Sequence, residues 1–407
     1  MAINIKNLQE RIQKKIFSVS PSTPTADLGD IVEAATLATG SLRQYDSAGL
    51  LPSVTSTQAQ IAYTKKDNAI KHKSANTTTW KTLTSDAYAA GAAAGSAAPS
   101  GSQVQGTAYG FSSGGGMPSA VNTIERYSFT SDGNATDYGD LTVTTRSKPA
   151  GNASSTHGYN SGGYSDSLSA ISNVIERFPF SAAANGTDVG DLVAAHYGVL
   201  GQSSETDGYT VGGAPVHSNV INKFPFASAT TNSTDVGDTT STPGVYYAMG
   251  ASSSTHGYTM GGNKSTAGLS QQIAKRSFAS DGNNSAVPGT LLATIYSGAG
   301  NSSETHGYVS GGYSPDPSTQ VNVIQKFPFA AEDNATDVGD LVQITYHCSG
   351  SNSNVSGYVH GGGNVSPSPN PSNNIIQKFS YSSDANSTDV GDLTQAKWST
   401  AEGGIQV

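Results

Sequence analysis

Three histidines occupy one position of a repeated pattern, each directly before a Gly-Tyr pair. They are His157, His256 and His306, and two other copies of the pattern carry Asp207 and Ser356 there. Imidazole nitrogens are common metal ligands, so three of them could hold an ion if they met at one point. Equivalent positions of successive repeats are spread apart rather than convergent. The pattern therefore favours a polar residue that opens a strand and hydrogen-bonds a neighbouring loop.

Turns rich in Asp and Asn also recur along the chain, for example SDGNATDYGD, EDNATDVGD and SDANSTDVGD. Their clustered side-chain oxygens are the ligands that calcium prefers. The same residue types, with Thr and Gly, form turns through hydrogen bonds to the local backbone. Turn formation is the favoured interpretation and calcium is the alternative. No other cofactor and no metal site is predicted.

Catalytic motifs are missing from the sequence. It has no Gly-x-Ser-x-Gly elbow, no phosphate-binding Gly-x4-Gly-Lys-Ser/Thr loop and no His-Glu-x-x-His pair. The single cysteine, Cys348, cannot form an internal disulfide and is expected to be a small core residue. The sequence therefore predicts a protein that is not an enzyme.

The elements that position these residues follow from an internal repeat. A Gly-Tyr-x-x-Gly-Gly element recurs five times, after a first, altered copy that reads AYGFSSGG. Its tyrosines are spaced by 50, 50, 49, 50 and 50 residues: Tyr109, Tyr159, Tyr209, Tyr258, Tyr308 and Tyr358. Each copy continues into an Ile-containing strand such as IERFPF. A Thr-Asp-Val-Gly-Asp-Leu element follows, except in the fourth copy, which reads SAVPGTL.

Composition and period together define the fold class. The 407 residues include 47 Gly and only 13% charged residues, and Tyr, Phe and β-branched residues are frequent. Each repeat holds about four short apolar runs bounded by turn residues, which is typical of a β-propeller blade. The Phe and Tyr of the Ile-containing strand are expected to pack between blades. We therefore expect an all-β, six-bladed propeller over residues 106–407.

The order of these elements resembles the kelch repeat, although a Val-Gly-Asp-Leu element stands where kelch repeats usually carry a Trp. The GYxxGG…KFPF…TDVGDL variant resembles kelch-like modules in structural proteins of tailed, particularly marine or cyanobacterial, phages. This resemblance implies a virion protein, namely a tail fibre or a tail- or neck-attached adhesin. The alternatives are a kelch-type protein-interaction scaffold and a carbohydrate-active kelch enzyme.

The chain ends indicate how the ring closes. The final stretch, DVGDLTQAKWSTAEGGIQV, aligns with the segment that opens the repeat of Tyr159, so it contains one strand more than its own blade needs. The first repeat has only a poor candidate for its inner strand. We therefore expect residues 399–407 to supply that strand and to close the ring, which removes exposed sheet edges.

The first part of the chain differs from the repeats. Residues 1–90 carry ten Lys/Arg and seven Asp/Glu, whereas the whole chain has a net charge of −9. Apolar residues at helical spacing over 5–16, and a second stretch over 26–39, predict two short amphipathic helices. From Gln60, the alternation in IAYT and IKHK predicts two or three short antiparallel strands that end near Trp80. Residues 87–105 are rich in Ala, Gly and Ser, which is typical of a linker.

The binding partners expected for the protein follow from the difference between the first part of the chain and the repeats. Residues 1–86 are expected to be a small α+β module that anchors the chain to other tail or neck proteins, in a homo-oligomer on the virion. The acidic net charge opposes nucleic-acid binding through a basic surface. No apolar run is long enough to span a membrane, and the charged N-terminus does not resemble a signal peptide. The protein is therefore expected to be made in the host cytoplasm and to reside in the virion.

The repeats differ most between the Gly-Gly pair and the next Ile-containing strand. In a propeller these loops emerge on one face, where variable loops often bind ligands. Their side chains offer stacking, hydrogen bonding and charge, which sugar recognition requires. The predicted binding residues, for a host-surface glycan or protein, are Tyr164, Asp166, His217, Lys264, Tyr313 and Asp316. The alternative is that these loops are solvated turns that bind nothing.

Overall fold

The computed structural model describes the regular strands and most loops of the repeats, together with four short strands before them. The described residues are 44–45, 60–64, 69–73, 81–82, 105–116, 121–142, 146–165, 169–228, 230, 232–264, 268–315, 318–364, 372–398, 400 and 404–406. All regular elements among these residues are strands, so this part of the chain contains no helix of the length and hydropathy needed to cross a bilayer. The chain divides into two compact units, residues 1–100 and 101–407.

The first unit contains one sheet of four strands in the order β1-β2-β3-β4. Their bounds are β1 (Gln44–Tyr45), β2 (Gln60–Thr64), β3 (Ala69–Lys73) and β4 (Lys81–Thr82). β2 and β3 are antiparallel, and β1 runs parallel to β2. β2 and β3 coincide with the alternating segments IAYT and IKHK, and β4 begins directly after Trp80, near which the predicted strands end. The helices predicted over 5–16 and 26–39 lie outside the described residues, so the anchoring module stays a prediction.

The second unit is a six-bladed β-propeller, and each blade is an antiparallel four-stranded sheet. Its first strands are β5 (Tyr109–Ser113), β6 (Thr123–Ser128), β7 (Thr136–Asp140), β8 (Arg146–Ser147), β9 (Ala150–Ala153), β10 (His157–Ser161), β11 (Tyr164–Ser165), β12 (Ala170–Ile171), β13 (Val174–Pro179), β14 (Thr187–Asp191), β15 (Leu200–Ser203), β16 (Asp207–Val211), β17 (Val220–Pro225) and β18 (Thr234–Asp238). The remaining strands are β19 (Met249–Ser252), β20 (His256–Met260), β21 (Gln272–Ser277), β22 (Ser285–Thr290), β23 (Ala299–Ser302), β24 (His306–Ser310), β25 (Tyr313–Pro315), β26 (Ser318–Gln320), β27 (Val323–Pro328), β28 (Thr336–Asp340), β29 (Ser349–Asn352), β30 (Ser356–His360), β31 (Ile375–Ser380), β32 (Thr388–Asp392) and β33 (Ile405–Gln406).

From the inner to the outer strand, blade 1 is β33-β5-β6-β7 and blade 2 is β9-β10-β13-β14. Blades 3 and 4 are β15-β16-β17-β18 and β19-β20-β21-β22. Blades 5 and 6 are β23-β24-β27-β28 and β29-β30-β31-β32. The pairing of β33 with β5, in which Ile405 lies opposite Phe111, places the C-terminal strand inside the first blade, as the sequence indicated.

The inner strands pack directly against one another around the propeller axis. Residues of these strands are buried throughout, and a glycine occupies the second position of β15, β19, β23 and β29. A Cβ on Gly250 would lie 2.3 Å from the carbonyl oxygen of Gly201, and one on Gly300 would lie 2.1 Å from that of Gly250. Only glycine permits so close an approach of two backbones. Neighbouring inner strands are therefore in direct backbone contact at this level.

Aromatic side chains form each seam between blades. In all six seams, a ring from the second strand of one blade stacks on the ring that follows the third strand of the next, with centroids 4.5–5.1 Å apart. Examples are Tyr258 on Phe329 and Tyr308 on Tyr381. Such pairs add stability beyond the burial of their area. The prediction that these aromatics pack between blades is confirmed.

The Thr-Asp-Val-Gly-Asp-Leu element forms a second contact between blades. At each seam, an Asn side-chain oxygen accepts a hydrogen bond of 2.9–3.1 Å from a backbone N–H of the preceding blade's outer strand. The six residues are Asn134, Asn185, Asn232, Asn283, Asn334 and Asn386. The glycine of the element is needed as well, because a Cβ on Gly391 would meet the carbonyl oxygen of Gly133 at 2.3 Å.

Candidate binding surface

One end of the propeller carries the variable loops between the second and third strands. The connections from each outer strand to the next inner strand lie at the same end. Backbone bridges join the two sets, for example Tyr197 to Ala214, Tyr296 to Tyr313 and Tyr346 to Gly363. We call this end the loop face. The Asp- and Asn-rich turns and the starts of the second strands lie at the opposite end.

A cluster of rings surrounds the axis on the loop face. Five of the six connections place an aromatic residue shortly before an inner strand, and two of them add a further ring. We call these residues the axial aromatic cluster: Tyr197, Tyr246, Tyr247, Tyr296, Tyr346, His347 and Trp398. All but Tyr346 are half-buried residues. Partly exposed aromatic rings are typical of surfaces that bind ligands by stacking.

A chain of backbone hydrogen bonds holds the cluster around the axis. Four bonds of 2.6–3.0 Å run through Lys148, Gly198, Tyr247, Ser297 and His347, and in each the N–H of the later residue donates to the carbonyl of the one before it. All five have a positive φ of 52° to 63°. For residues other than glycine this conformation is strained, and such strain is commonly retained at functional sites.

Tyr247 contacts several other rings of the cluster. Its ring centroid lies 4.8 Å from that of Tyr246, 5.3 Å from His347 and 6.4 Å from Tyr296. A Cβ on Gly198 would lie only 2.7 Å from this ring, so glycine at that position makes room for it. Burial raises the pKa of Tyr247 well above its usual range, and the neighbouring tyrosines act in the same direction. The phenol is therefore neutral and can donate a hydrogen bond.

The Lys148 cation lies beside these rings. The Lys148 Nζ is 5.4 Å from the ring centroid of Tyr247 and 5.5 Å from that of Tyr197, which is cation–π distance. Burial lowers the pKa of His347 to about 3, and the nearby Lys148 charge acts in the same direction. His347 is therefore neutral at physiological pH. The centre of the loop face thus combines neutral ring donors with the positive charge of Lys148.

Three of the residues predicted from the sequence border this cluster. Each has its ring centroid within 6 Å of a ring centroid of the cluster. The distance is 4.6 Å between His217 and Tyr246. It is 5.4 Å between Tyr313 and Tyr296, and 5.7 Å between Tyr164 and Tyr197. They belong to the loops of blades 2, 3 and 5, and the cluster connects them. Asp166 and Asp316 lie outside the described residues, so their role stays a prediction.

Lys264 lies apart from the other three, in a cleft of blade 4. The cleft has a volume of about 560 Å3, and its lining includes Leu269, Gln271, Val287 and Thr294. The Lys264 Nζ donates a 2.6 Å hydrogen bond to Gln272 Oε1, and burial lowers the pKa of Lys264. A mixed lining of amides, hydroxyls and apolar groups suits a sugar-sized polar ligand.

The three histidines considered as metal ligands have hydrogen-bond partners in the protein. His157, His256 and His306 open β10, β20 and β24, and the Nδ1 of each lies 2.8 Å from the Oγ1 of the preceding threonine. Within the described residues, no group of three or more His, Cys, Asp or Glu side chains is placed to hold an ion. The prediction that these histidines open strands is confirmed, and the partner of each ring is the preceding threonine rather than a neighbouring loop.

The Asp-rich turns likewise have structural roles. Asp137, Asp337 and Asp389 each accept a hydrogen bond from the glycine N–H two residues later, as Asx turns do. Cys348 is fully buried in a core cluster with Tyr308. These findings support turn formation and a core role for the cysteine.

Sequence reasoning missed the axial aromatic cluster. Its signal was nevertheless present, because Tyr197, Tyr246, Tyr296, Tyr346 and Trp398 recur about once per repeat before the inner strand. They lie outside the Gly-Gly and Thr-Asp-Val-Gly-Asp-Leu elements that define the repeat. Only the folded ring shows that these residues and the variable loops share one face.

Comparison with known proteins gives no family for this chain. No family model matches the sequence. No curated protein matches it either. The resemblance to kelch repeats therefore stays a prediction.

Proposed function

We propose that the propeller is a binding module whose loop face recognises a surface glycan. The observation that supports this most strongly is the axial aromatic cluster, whose rings lie around the axis and include Tyr247 and His347 in a strained backbone conformation of positive φ. Sugar rings present C–H faces that stack on aromatic rings, and their hydroxyls require nearby donors and acceptors. Tyr164, His217 and Tyr313 extend the ring surface outwards, and the cleft at Lys264 adds a polar subsite.

In the wider proposal, the protein is a structural component of a phage virion, in the tail fibre or attached to the tail or neck. Residues 1–86 anchor the chain, in a homo-oligomer, and the propeller binds a glycan or protein of the host surface. Two features support this: the first unit differs in charge from the repeats, and the repeats carry binding-type rather than catalytic-type residues. A protein-interaction scaffold is the other candidate, because half-buried Tyr and Trp are also enriched at protein interfaces.

A double variant tests the glycan-binding proposal. Tyr164→Ala with Tyr313→Ala should weaken binding to immobilised bacterial surface polysaccharides by roughly tenfold or more, since truncating aromatic anchors commonly costs 1–2 kcal/mol each. The measurement is surface plasmon resonance against a panel of such polysaccharides. Because both side chains lie on the loop face, the melting temperature should change little.

The matched control is His157→Ala, which removes a half-buried ring from the opposite end of blade 2. It should bind as the parent protein does. Equal weakening by the control would place the glycan site elsewhere. Binding of a purified protein partner, with no polysaccharide response in the parent protein, would favour the scaffold.

A further inference from the structure

Blade 4 differs from the other blades at the last residue of its outer strand, which lies on the loop face. Thr290 occupies this position and is paired with Gln272 at the start of the third strand. In the other five blades the corresponding residue has the same pairing and is an aspartate: Asp140, Asp191, Asp238, Asp340 and Asp392. Blade 4 therefore lacks a negative charge that every other blade carries there.

The same part of blade 4 carries a positive charge instead. Lys264 lies two residues after the Gly-Gly pair, and its Nζ donates a 2.6 Å hydrogen bond to Gln272 Oε1. That oxygen also accepts a 2.6 Å bond from the hydroxyl of Thr240, an exposed residue. The other blades have uncharged residues at the position of Lys264, namely Met117, Ser165, Pro215, Ser314 and Asn364. Compared with the other blades, blade 4 has thus exchanged an anion for a cation.

Lys264 has a neutral hydrogen-bond acceptor but forms no ion pair with a described residue. Burial lowers the pKa of Lys264, and no neighbouring acid raises it. An anion beside a half-buried ammonium group would offset the cost of its burial. Five other lysines of the propeller already have such a partner, because each forms an ion pair with Asp or Glu: Lys223, Lys275, Lys326, Lys378 and Lys397.

Lys264 and Gln272 line the cleft of about 560 Å3 described above, and no described residue of its lining is Asp or Glu. Gln271 and Thr294, which are at least partly exposed, add an amide and a hydroxyl group that can bind the hydroxyls of a ligand. The cleft also adjoins the axial aromatic cluster, because Asn263, next to Lys264, forms a backbone bridge to Tyr246. Its volume is that of a pocket for a small polar ligand such as a sugar unit.

We propose that this cleft binds an acidic sugar of the surface glycan, with the negatively charged substituent of the sugar beside Lys264. A carboxylate and a sulfate ester both provide oxygen acceptors for an ammonium group. The aspartates at the corresponding position of the other blades would repel such a substituent, so the acidic sugar is assigned to blade 4. This inference rests on the proposed glycan binding by the loop face and adds the class of sugar.

Surface plasmon resonance of the full chain tests the inference with matched pairs of polysaccharides. Each pair consists of a bacterial polysaccharide that contains uronic acids or sulfate esters and its neutral form, made by reducing the carboxyl groups or removing the sulfates. The parent protein should bind the acidic form roughly tenfold or more tightly, since hydrogen bonds to charged groups commonly contribute 1.5–3 kcal/mol. Whether uronic acids or sulfate esters show this preference identifies the substituent.

Lys264→Met removes the charge and should reduce the affinity for the acidic form to that for the neutral form. Its affinity for the neutral form should not change, whereas a structural disturbance of the cleft would weaken both. Thr290→Asp introduces the residue of the other five blades, so it should fold, and it should also weaken binding of the acidic form. The matched control is Lys223→Met, which removes an ion-paired cation from the opposite end of blade 3 and should retain the preference.

The outcomes separate this inference from the proposed function. If the parent protein binds acidic and neutral forms equally, or if Lys264→Met keeps the preference, the inference is wrong while glycan binding by the loop face stands. If Lys264→Met does not fold, an undiminished preference in Thr290→Asp has the same meaning. Undetectable binding of every polysaccharide by the parent protein would overturn both.

Discussion

At the scale of single residues, two buried ionisable side chains of the propeller are accommodated in different ways, one by an ion pair and one by staying neutral. Lys397, 1% exposed, forms a buried ion pair with Glu125 across the seam between blades 6 and 1. His360 is also 1% exposed, but neither of its ring nitrogens has a hydrogen-bond partner among the described residues. Burial lowers the pKa of His360 to about 3, and the nearby Lys397 charge acts in the same direction.

This pKa predicts a loss of stability in acid. In the unfolded chain, His360 takes up a proton below about pH 6.5, whereas in the folded protein it stays neutral down to about pH 3. Between pH 6.5 and pH 3 the unfolded state therefore binds more protons than the folded state. Each unit by which the pH is lowered in this range reduces the free energy of unfolding by up to about 1.4 kcal/mol. His360→Met, which introduces the residue that blade 4 carries as Met260, should remove this contribution. Urea unfolding of both proteins at pH 7.5 and pH 5 measures the difference. Equal acid sensitivity would mean that His360 does not contribute.

At the scale of elements, the ring depends on a closing strand of only two residues. Ile405 in β33 is 1% exposed and packs in a cluster with Phe111 and Phe178, so it joins blade 1 to blade 2 as well as pairing with β5. Because the first blade has no other inner strand among the described residues, weakening β33 exposes the edge of β5.

Ile405→Ala should therefore destabilise the propeller by about 2–5 kcal/mol, since it removes buried methyl groups that the surroundings cannot fully replace. The matched control is Val193→Ala, at a residue that is 55% exposed, which should cost less than about 0.5 kcal/mol. Guanidinium unfolding followed by far-UV circular dichroism provides both values. If Ile405→Ala unfolds at the same midpoint as the parent protein, β33 is not the closing element.

Elements built from the local pattern were predictable, and contacts between blades were less so. The spacing of Tyr109 to Tyr358 predicts six blades, and the aromatics of the third strands predict the seams. The role of Asn185 could not be inferred, because its partner is the backbone N–H of Asp140 in another blade. The axial aromatic cluster was missed for a similar reason, since its residues meet only when the ring has closed.

At the scale of the whole molecule, the propeller is a ring of six seams that repeat the same contacts. Each seam has a stacked pair of rings and an Asn side chain that accepts a hydrogen bond from the blade before it. The described strands of residues 101–407 pair only with one another, and the last strand closes the first blade. This unit therefore has the properties of a domain that folds without residues 1–100.

Residues 101–407 expressed alone should unfold cooperatively, at a temperature within a few degrees of the second-unit transition in the full chain. Under the proposed function, this isolated unit retains the loop face but has lost its anchor. It should therefore compete with particles for host-cell adsorption without joining the particles itself. Calorimetry, an adsorption assay with added protein, and particle sedimentation give the three measurements. The same unit with Tyr164→Ala and Tyr313→Ala is the control and should not compete. An isolated unit that folds but still joins particles would contradict anchoring through residues 1–86, whereas one that fails to fold would show that the propeller needs the first unit.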